Sequence, residues 1–251
     1  MDLSSRTVRR LQAGLSISLA CALTLLAACS SKSKSPRVFV LNGLDIPVSV
    51  TIEADGKTQT FEVAPKGRAT PDVSGDGNVK VTSTKGELIS EGPAVFGKAE
   101  SKDCFYVYNV VGSAAYVNED VAYGTGEGTP RKRQRSGSIN EQECGIDYPF
   151  VEPPETVTVK QSGPAGANIG WLHYEGDGGW VVAVNSLLDD TGESASLSRG
   201  MAQQIVRAVV THDPQNPALP AIKARLEQMR LRMPEATPGN LLDDGRRRRR
   251  K

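Results

Sequence analysis

The chain contains few of the side chains that most often carry catalysis. Two of its 251 residues are histidine and four are cysteine. It has no Gly-x-Ser-x-Gly turn of the kind that presents a nucleophilic serine. It also has no glycine-rich loop of the Walker or dinucleotide-binding type, which would cradle a phosphate. These absences favour a protein that is not an enzyme, and nothing in the sequence calls for a cofactor.

Aromatic residues are also scarce, at 5% of the chain, and none interrupts its two basic runs. The first run is RKRQR at 131–135, and the second consists of Arg246, Arg247, Arg248, Arg249, Arg250 and Lys251. Single-stranded nucleic acids bind to aromatic side chains on which their bases can stack. We therefore expect no nucleic-acid partner. A solvated tail is the simplest interpretation of the second run, and contact with an anionic membrane or envelope polymer is the alternative.

The formal net charge of +1 conceals an uneven distribution of charges along the chain. The first 28 residues hold three arginines and one aspartate, and the last six residues are all basic. The intervening residues, 29–245, have 21 basic and 28 acidic side chains, which is a net charge of −7. The sequence thus predicts an acidic body and a disordered basic tail over 235–251.

The N-terminus has the organisation of an export signal. Arg6, Arg9 and Arg10 precede a run from 11 to 28 that is mostly small and apolar. This run is at the lower limit of length for a helix that spans a bilayer, and its serine and threonine residues weaken it further. We therefore predict that residues 1–28 are a signal peptide.

The end of this run, Leu26-Ala27-Ala28-Cys29, resembles the lipobox of bacterial lipoproteins. In that family the cysteine sulfur receives a diacylglycerol, and the signal peptide is cut in front of the cysteine. The resemblance implies that the mature chain begins at Cys29 and is anchored in a membrane by acyl chains. An ordinary secretory signal, or an uncleaved anchor with a chance cysteine, is the alternative.

The residues after Cys29 are expected to set the distance from the membrane and the choice of membrane. The polar stretch up to residue 36 predicts a flexible tether over 29–36. In Gram-negative lipoproteins, a residue other than aspartate after the lipidated cysteine favours transfer to the outer membrane. Ser30 occupies that position. For a Gram-negative source, the resemblance therefore implies a cell-envelope protein on the outer membrane that faces the periplasm.

Export also bears on the remaining cysteines. Cys21 would leave with the signal and Cys29 would carry lipid, which leaves Cys104 and Cys144. An even pair in an exported chain predicts a disulfide. Closure of the segment between them would stabilise the fold by at most about 4 kcal/mol.

Residues 37–162 have the pattern of short β-strands separated by turns. Apolar and polar residues alternate over 48–52, which is the period of a half-buried strand. Asp55-Gly56 then predicts a hairpin, because its turn needs positive φ at both central positions. The polar stretch of 124–143 predicts a long exposed loop. We expect an antiparallel, sandwich-like β-domain.

The pattern changes in residues 168–234, where apolar residues recur at three- and four-residue steps, most clearly over 197–209. It predicts two or three helices and makes the chain an α+β protein. HDPQNPALP at 212–220 weakly resembles the Asp-Pro-x-Asn junction of tetratricopeptide-type repeats. That resemblance implies at most a helical hairpin or a three-helix segment.

A cluster of polar residues precedes these helices, in the stretch WLHYEGDGGW. If this stretch is extended, His173, Glu175 and Asp177 project to one side. One imidazole and two carboxylates could bind a divalent metal. The interpretation that we favour is a glycine-rich connection into the first helix, with Asp177 near the positive end of the helix dipole.

Two functional hypotheses follow. The first is a lipid-anchored cell-envelope protein that acts as a non-enzymatic interaction or structural module, with an envelope protein as its partner. The alternative is a β-domain that binds a small ligand or a metal around His173, with or without hydrolytic activity.

Overall fold

The described strands all precede the α-helices along the chain. The computed structural model describes residues 37–97, 103–124, 132–135, 138–156, 166–237 and 239–242. Its strands are β1 (Arg37–Asn42), β2 (Val48–Ala54), β3 (Lys57–Val63), β4 (Gly67–Ala69), β5 (Gly77–Ser83), β6 (Leu88–Ala94), β7 (Phe105–Asn109), β8 (Tyr116–Gly124), β9 (Lys132–Arg135), β10 (Asn140–Glu143), β11 (Tyr148–Pro149) and β12 (Gly166–Tyr174). Its helices are α1 (Trp180–Asp189), α2 (Ala195–His212) and α3 (Leu219–Gln228). The predicted α+β class is confirmed.

The described strands form three four-stranded sheets in which most pairings are antiparallel. The central sheet has the order β10-β7-β1-β4, the hairpin sheet β3-β2-β5-β6, and the outer sheet β11-β12-β8-β9. Parallel pairing occurs between β1 and β7 and between β11 and β12. The chain therefore departs from a purely antiparallel arrangement at two places.

The central sheet is buried on both of its faces. On β1, Val38 and Val40 lie in a core that also contains residues of the hairpin sheet and the helices. Phe39 and Leu41 lie in a second core, together with Leu172 of the outer sheet. Successive side chains of a strand point to opposite faces. A strand that is covered on both faces is therefore apolar without alternation, as β1 is.

The helices share the first core with the strands. Trp180, Ile205 and Leu226, one from each helix, are fully buried in that core. The described residues all fall in one compact unit. Removal of the helices would therefore expose the core face of the central sheet.

The helical segment begins later than predicted. Residues 168–174 belong to β12, which pairs with β8 along its whole length, and α1 begins only at Trp180. The short stretch from 166 to 174 has no strong period of its own. It becomes a strand because β8 lies beside it, and such pairing overrides local preference.

The hairpin predicted at Asp55-Gly56 is present between β2 and β3. Ala54 pairs with Lys57 across the turn, and φ is 48° at Asp55 and 70° at Gly56. Two consecutive residues with positive φ form the turn whose twist matches that of the flanking strands. The register of the hairpin sheet is therefore set by this dipeptide.

A disulfide joins Cys104 and Cys144, as predicted. It closes the base of a long two-stranded ribbon in which β7 pairs with β10 and β8 pairs with β9. The two halves are linked by a hydrogen bond from the Asn109 N–H to the Ile139 carbonyl, at 2.8 Å. The predicted exposed loop of 124–143 is thus partly strand. Its polar sequence gave little sign of β structure, because pairing with a neighbouring strand supplies the stabilisation.

The C-terminal segment is ordered further than predicted. The Asn240 side chain accepts from the Glu91 N–H at 2.8 Å and donates to the Glu91 carbonyl at 2.6 Å. The Leu241 N–H donates to the Ile89 carbonyl, and the Leu241 side chain is buried. Residues 239–242 therefore cover the outer edge of β6, which the prediction of disorder from 235 had missed.

Several predictions concern residues outside those described. They include the signal peptide, Cys29, the tether of 29–36 and the basic run from Arg246 to Lys251. These stay predictions. Among the described helices, none combines the length and the apolar character needed to cross a membrane.

The disulfide generates the first testable prediction. The double substitution C104A/C144A should lower the free energy of unfolding by at most about 4 kcal/mol, because it restores chain entropy to the unfolded state. Urea unfolding monitored by tryptophan fluorescence measures the change. Reduction of the native chain serves as the control and should shift the midpoint equally. An unchanged midpoint in both experiments would contradict a stabilising role.

Candidate functional site

Asp45 joins the strands to the helices. Its carboxylate accepts hydrogen bonds from Trp180 Nε1 and from Asn216 Nδ2, both at 2.8 Å. Its other oxygen lies 3.3 Å from Lys66 Nζ. One carboxylate thus contacts the first turn of α1, the connection between α2 and α3, and the turn between β3 and β4.

Lys66 extends this network to Asp177, which the sequence offered only as a weak candidate for a metal ligand. Lys66 Nζ donates to Asp177 Oδ2 at 2.9 Å, and Asp177 Oδ1 accepts from the Gly179 N–H at 2.9 Å. Gly179 directly precedes α1, so Asp177 lies at the positive end of the helix dipole, as the sequence predicted. We call Asp45, Lys66, Asp177, Trp180 and Asn216 the Asp45 network.

The network favours the charged forms of its members. Burial alone would raise the pKa of Asp45, but hydrogen bonds from Asn216, Trp180 and Lys66 outweigh it, and the pKa lies below the usual 3.8. The hydrogen bond from Lys66 likewise lowers the pKa of Asp177. The hydrogen bond to Asp177 raises the pKa of Lys66 above 10.5. All three groups are therefore ionised at neutral pH.

His173 contacts different residues from Asp177. Its Nε2 lies 2.9 Å from Glu119 Oε2, and its Nδ1 lies 3.0 Å from the Tyr174 carbonyl. The imidazole also stacks on Trp171, with ring centroids 3.8 Å apart. His173 and Glu119 belong to the neighbouring strands β12 and β8 of the outer sheet.

The three candidate metal ligands do not converge in the structure. His173 pairs with Glu119, and Asp177 pairs with Lys66. Glu175 lies between them in the sequence, and its Oε2 is buried without a hydrogen-bond partner among the described residues. Within that part of the chain, no three His, Cys, Asp or Glu side chains lie close enough together to hold a metal ion.

A surface groove lies between α1 and α3, and we call it the α1–α3 groove. It has a volume of about 430 Å³ and is lined by residues that include Leu188, Asp189, Ala221, Ala224, Arg225 and Met229. Arg225 bridges the two helices, because it donates to the side chains of Asn185 and Asp189. The groove is therefore a shallow depression with mixed polar and apolar lining, in which Arg225 is held by its contacts to α1.

Sequence reasoning missed most of these residues. Asp45, Lys66 and Arg225 occur in no motif, and they come together only through the fold. Asn216 belongs to the HDPQNP stretch, which the sequence marked as a helix junction. There its side chain donates to Asp213 Oδ2 at 2.7 Å as well as to Asp45.

The substitution Asp45→Ala should destabilise the chain by about 2 kcal/mol at pH 7, since it removes charge-assisted hydrogen bonds from partly buried donors. The stabilisation due to Asp45 is present above pH 3.8 and is lost as the pH falls through the lowered pKa of the folded state. The difference between native and variant stability should therefore shrink below pH 3.8. Urea unfolding at several pH values measures it.

Asp177→Ala is the matched control, because the Asp177 side chain also binds Lys66 but is 55% exposed. Exposed ion pairs contribute little, so we expect a loss of at most about 1 kcal/mol. Equal losses for the two variants would contradict a special role of Asp45.

No protein-family model, curated protein or solved structure matches this chain. Its function is therefore argued from its own residues, above all from the N-terminal sequence and the α1–α3 groove.

Proposed function

We propose that this chain is a lipid-anchored protein of the cell envelope that acts as a non-enzymatic interaction module. Acyl chains on Cys29 hold it in a membrane, and the α1–α3 groove receives a side chain from another envelope protein. For a Gram-negative source, the membrane is the outer membrane and the body faces the periplasm.

The observation that carries the interaction role is the α1–α3 groove. It is an open depression of about 430 Å³ on the surface, where a side chain of another protein can rest. Ala221 and Ala224 are exposed and line the groove together with Leu188, which is itself buried. Because α1 and α3 are both fixed to the core, the groove is formed before a partner arrives, and preorganisation lowers the cost of binding.

The groove indicates the chemistry of the partner. An aliphatic or aromatic side chain would fill the space beside Ala221 and Ala224, as anchoring residues do at protein interfaces. Arg225 at the rim is already neutralised by Asp189, so it favours a polar or carbonyl group over a second strong charge. The partner protein should therefore present an apolar side chain to the groove, with hydrogen-bond acceptors beside it.

The interaction role is also supported by the way in which the potential catalytic groups are used. His173 and Asp177 each bind a partner within the fold, and Cys104 and Cys144 are bonded to each other. The metal-binding alternative would need His173, Glu175 and Asp177 to exchange these contacts for a common ion. Breaking the Lys66–Asp177 contact would also weaken the Asp45 network, which makes this alternative the less favoured one.

The substitution Cys29→Ala should move most of the protein from the membrane fraction to the soluble fraction, because it removes the thiol that would carry the acyl chains. Fractionation followed by intact-mass measurement checks both the location and the lipid. Cys21→Ala is the control and should leave the protein in the membrane. A native chain whose intact mass shows no acyl chains would contradict lipid anchoring.

The substitution Ala224→Trp should weaken partner capture at least tenfold, or about 1.4 kcal/mol, by filling the α1–α3 groove. The measurement compares the envelope proteins retained by immobilised native and variant chains. Lys223→Trp is the matched control, since residue 223 is exposed on the same helix but does not line the groove. Equal capture by all three chains would refute docking at the groove.

A further inference from the structure

β3 is an edge strand whose outer side has no cover among the described residues. It has seven residues and pairs only with β2. The other seven-residue edge strand, β6, is covered by Asn240 and Leu241. An edge strand presents a row of unpaired backbone groups that can accept a further strand. β3 is therefore a seven-residue edge that is open to extension among the described residues.

The backbone of β3 offers a regular set of donors and acceptors. Ala54 and Lys57 flank a two-residue turn, and such a flanking pair exchanges both of its hydrogen bonds. Hydrogen-bonded and non-hydrogen-bonded pairs then alternate along the strand. The N–H and C=O groups of Thr58, Thr60 and Glu62 consequently point away from β2. No other described group bonds to them.

The side chains along this edge are also incompletely covered. Thr58, Thr60 and Glu62 are exposed, and Phe61 is only half-buried where it packs against the first core. Gln59 Oε1 is buried without a hydrogen-bond partner among the described residues. A strand added to this edge would cover the Phe61 ring and could supply a donor to Gln59.

We propose that two copies of this chain pair antiparallel through β3, with a two-fold axis at Thr60. Thr60 then lies opposite Thr60 of the second copy, and Thr58 lies opposite Glu62. These are the residues whose backbone groups point outward, so each opposed pair exchanges both N–H···O bonds. The two hairpin sheets become one continuous sheet.

The strand is self-complementary in this register. Glu62 opposes a threonine and Lys57 opposes Val63, so no like charges are directly opposed. Gln59 opposes Phe61, and the two Gln59 side chains become diagonal neighbours that can bond through their amides. A two-fold axis at Glu62 would instead oppose two carboxylates. The arrangement thus favours a second copy, centred on Thr60, as the occupant of this edge.

Cysteine cross-linking in the full-length chain tests the proposal. Residues opposed in a hydrogen-bonded pair have Cα atoms about 5.5 Å apart, which is within reach of a disulfide. Thr60→Cys should therefore give a covalent dimer under mild oxidation, at least about tenfold stronger than that of Thr58→Cys, whose copies lie too far apart. The native chain is the control, because it shows how much cross-linking arises from Cys21 and Cys29. Co-expressed Thr58→Cys and Glu62→Cys chains should cross-link to each other.

The outcomes separate this proposal from its competitors. A dimer at position 60 and in the 58–62 mixture, with little at 58 alone, supports pairing in the stated register. Equal cross-linking at 58 and 60 indicates random collision and overturns it. An adduct of position 60 with a different protein, or no adduct, overturns it as well. The assay is scored in whichever cell fraction holds the chain, so failure of lipid anchoring does not affect it.

Discussion

Burial of the central sheet on both faces is the constraint on which the remaining structure depends. Alternate residues of β1 belong to two different cores, so each face needs its own cover. The hairpin sheet and the helices cover one face, and the outer sheet covers the other. The disulfide holds together the ribbon that connects the central and outer sheets. Because every layer lies against the central sheet, the helices are part of the fold and not a separable appendage. Function therefore has to reside on surfaces that this packing leaves exposed.

The Asp45 network complements this packing at a place where strands, turns and helices meet. Hydrogen bonds to a charged group are stronger than those between neutral groups, and they fix geometry as well as adding stability. Asp45 fixes the start of α1 through Trp180 and the α2–α3 connection through Asn216. At the groove itself, the two helices are joined by Arg225, which donates to Asn185 and Asp189. Polar residues that could have formed a reactive site are used here to position helices.

Much of the fold could be predicted from local sequence, and most of the candidate site could not. Asp55-Gly56 identified a hairpin because its turn chemistry is local, and the even cysteine pair identified a disulfide. β9, β10 and β12 were missed because their strand character comes from neighbours distant in sequence. The same reason applies to Asp45, Lys66 and Arg225. They belong to no local motif, and their partners are distant in sequence. His173 and Asp177 are near neighbours in sequence, but His173 contacts Glu119 and Asp177 contacts Lys66.

The central claim is that the α1–α3 groove is a docking surface for an envelope protein. The most direct test places a photoreactive phenylalanine analogue at Ala224 and, in a parallel chain, at Lys223, and irradiates intact cells. The account predicts a discrete adduct with a single envelope protein from position 224 and none from position 223. Adducts of the same kind from both positions, or from neither, would contradict it.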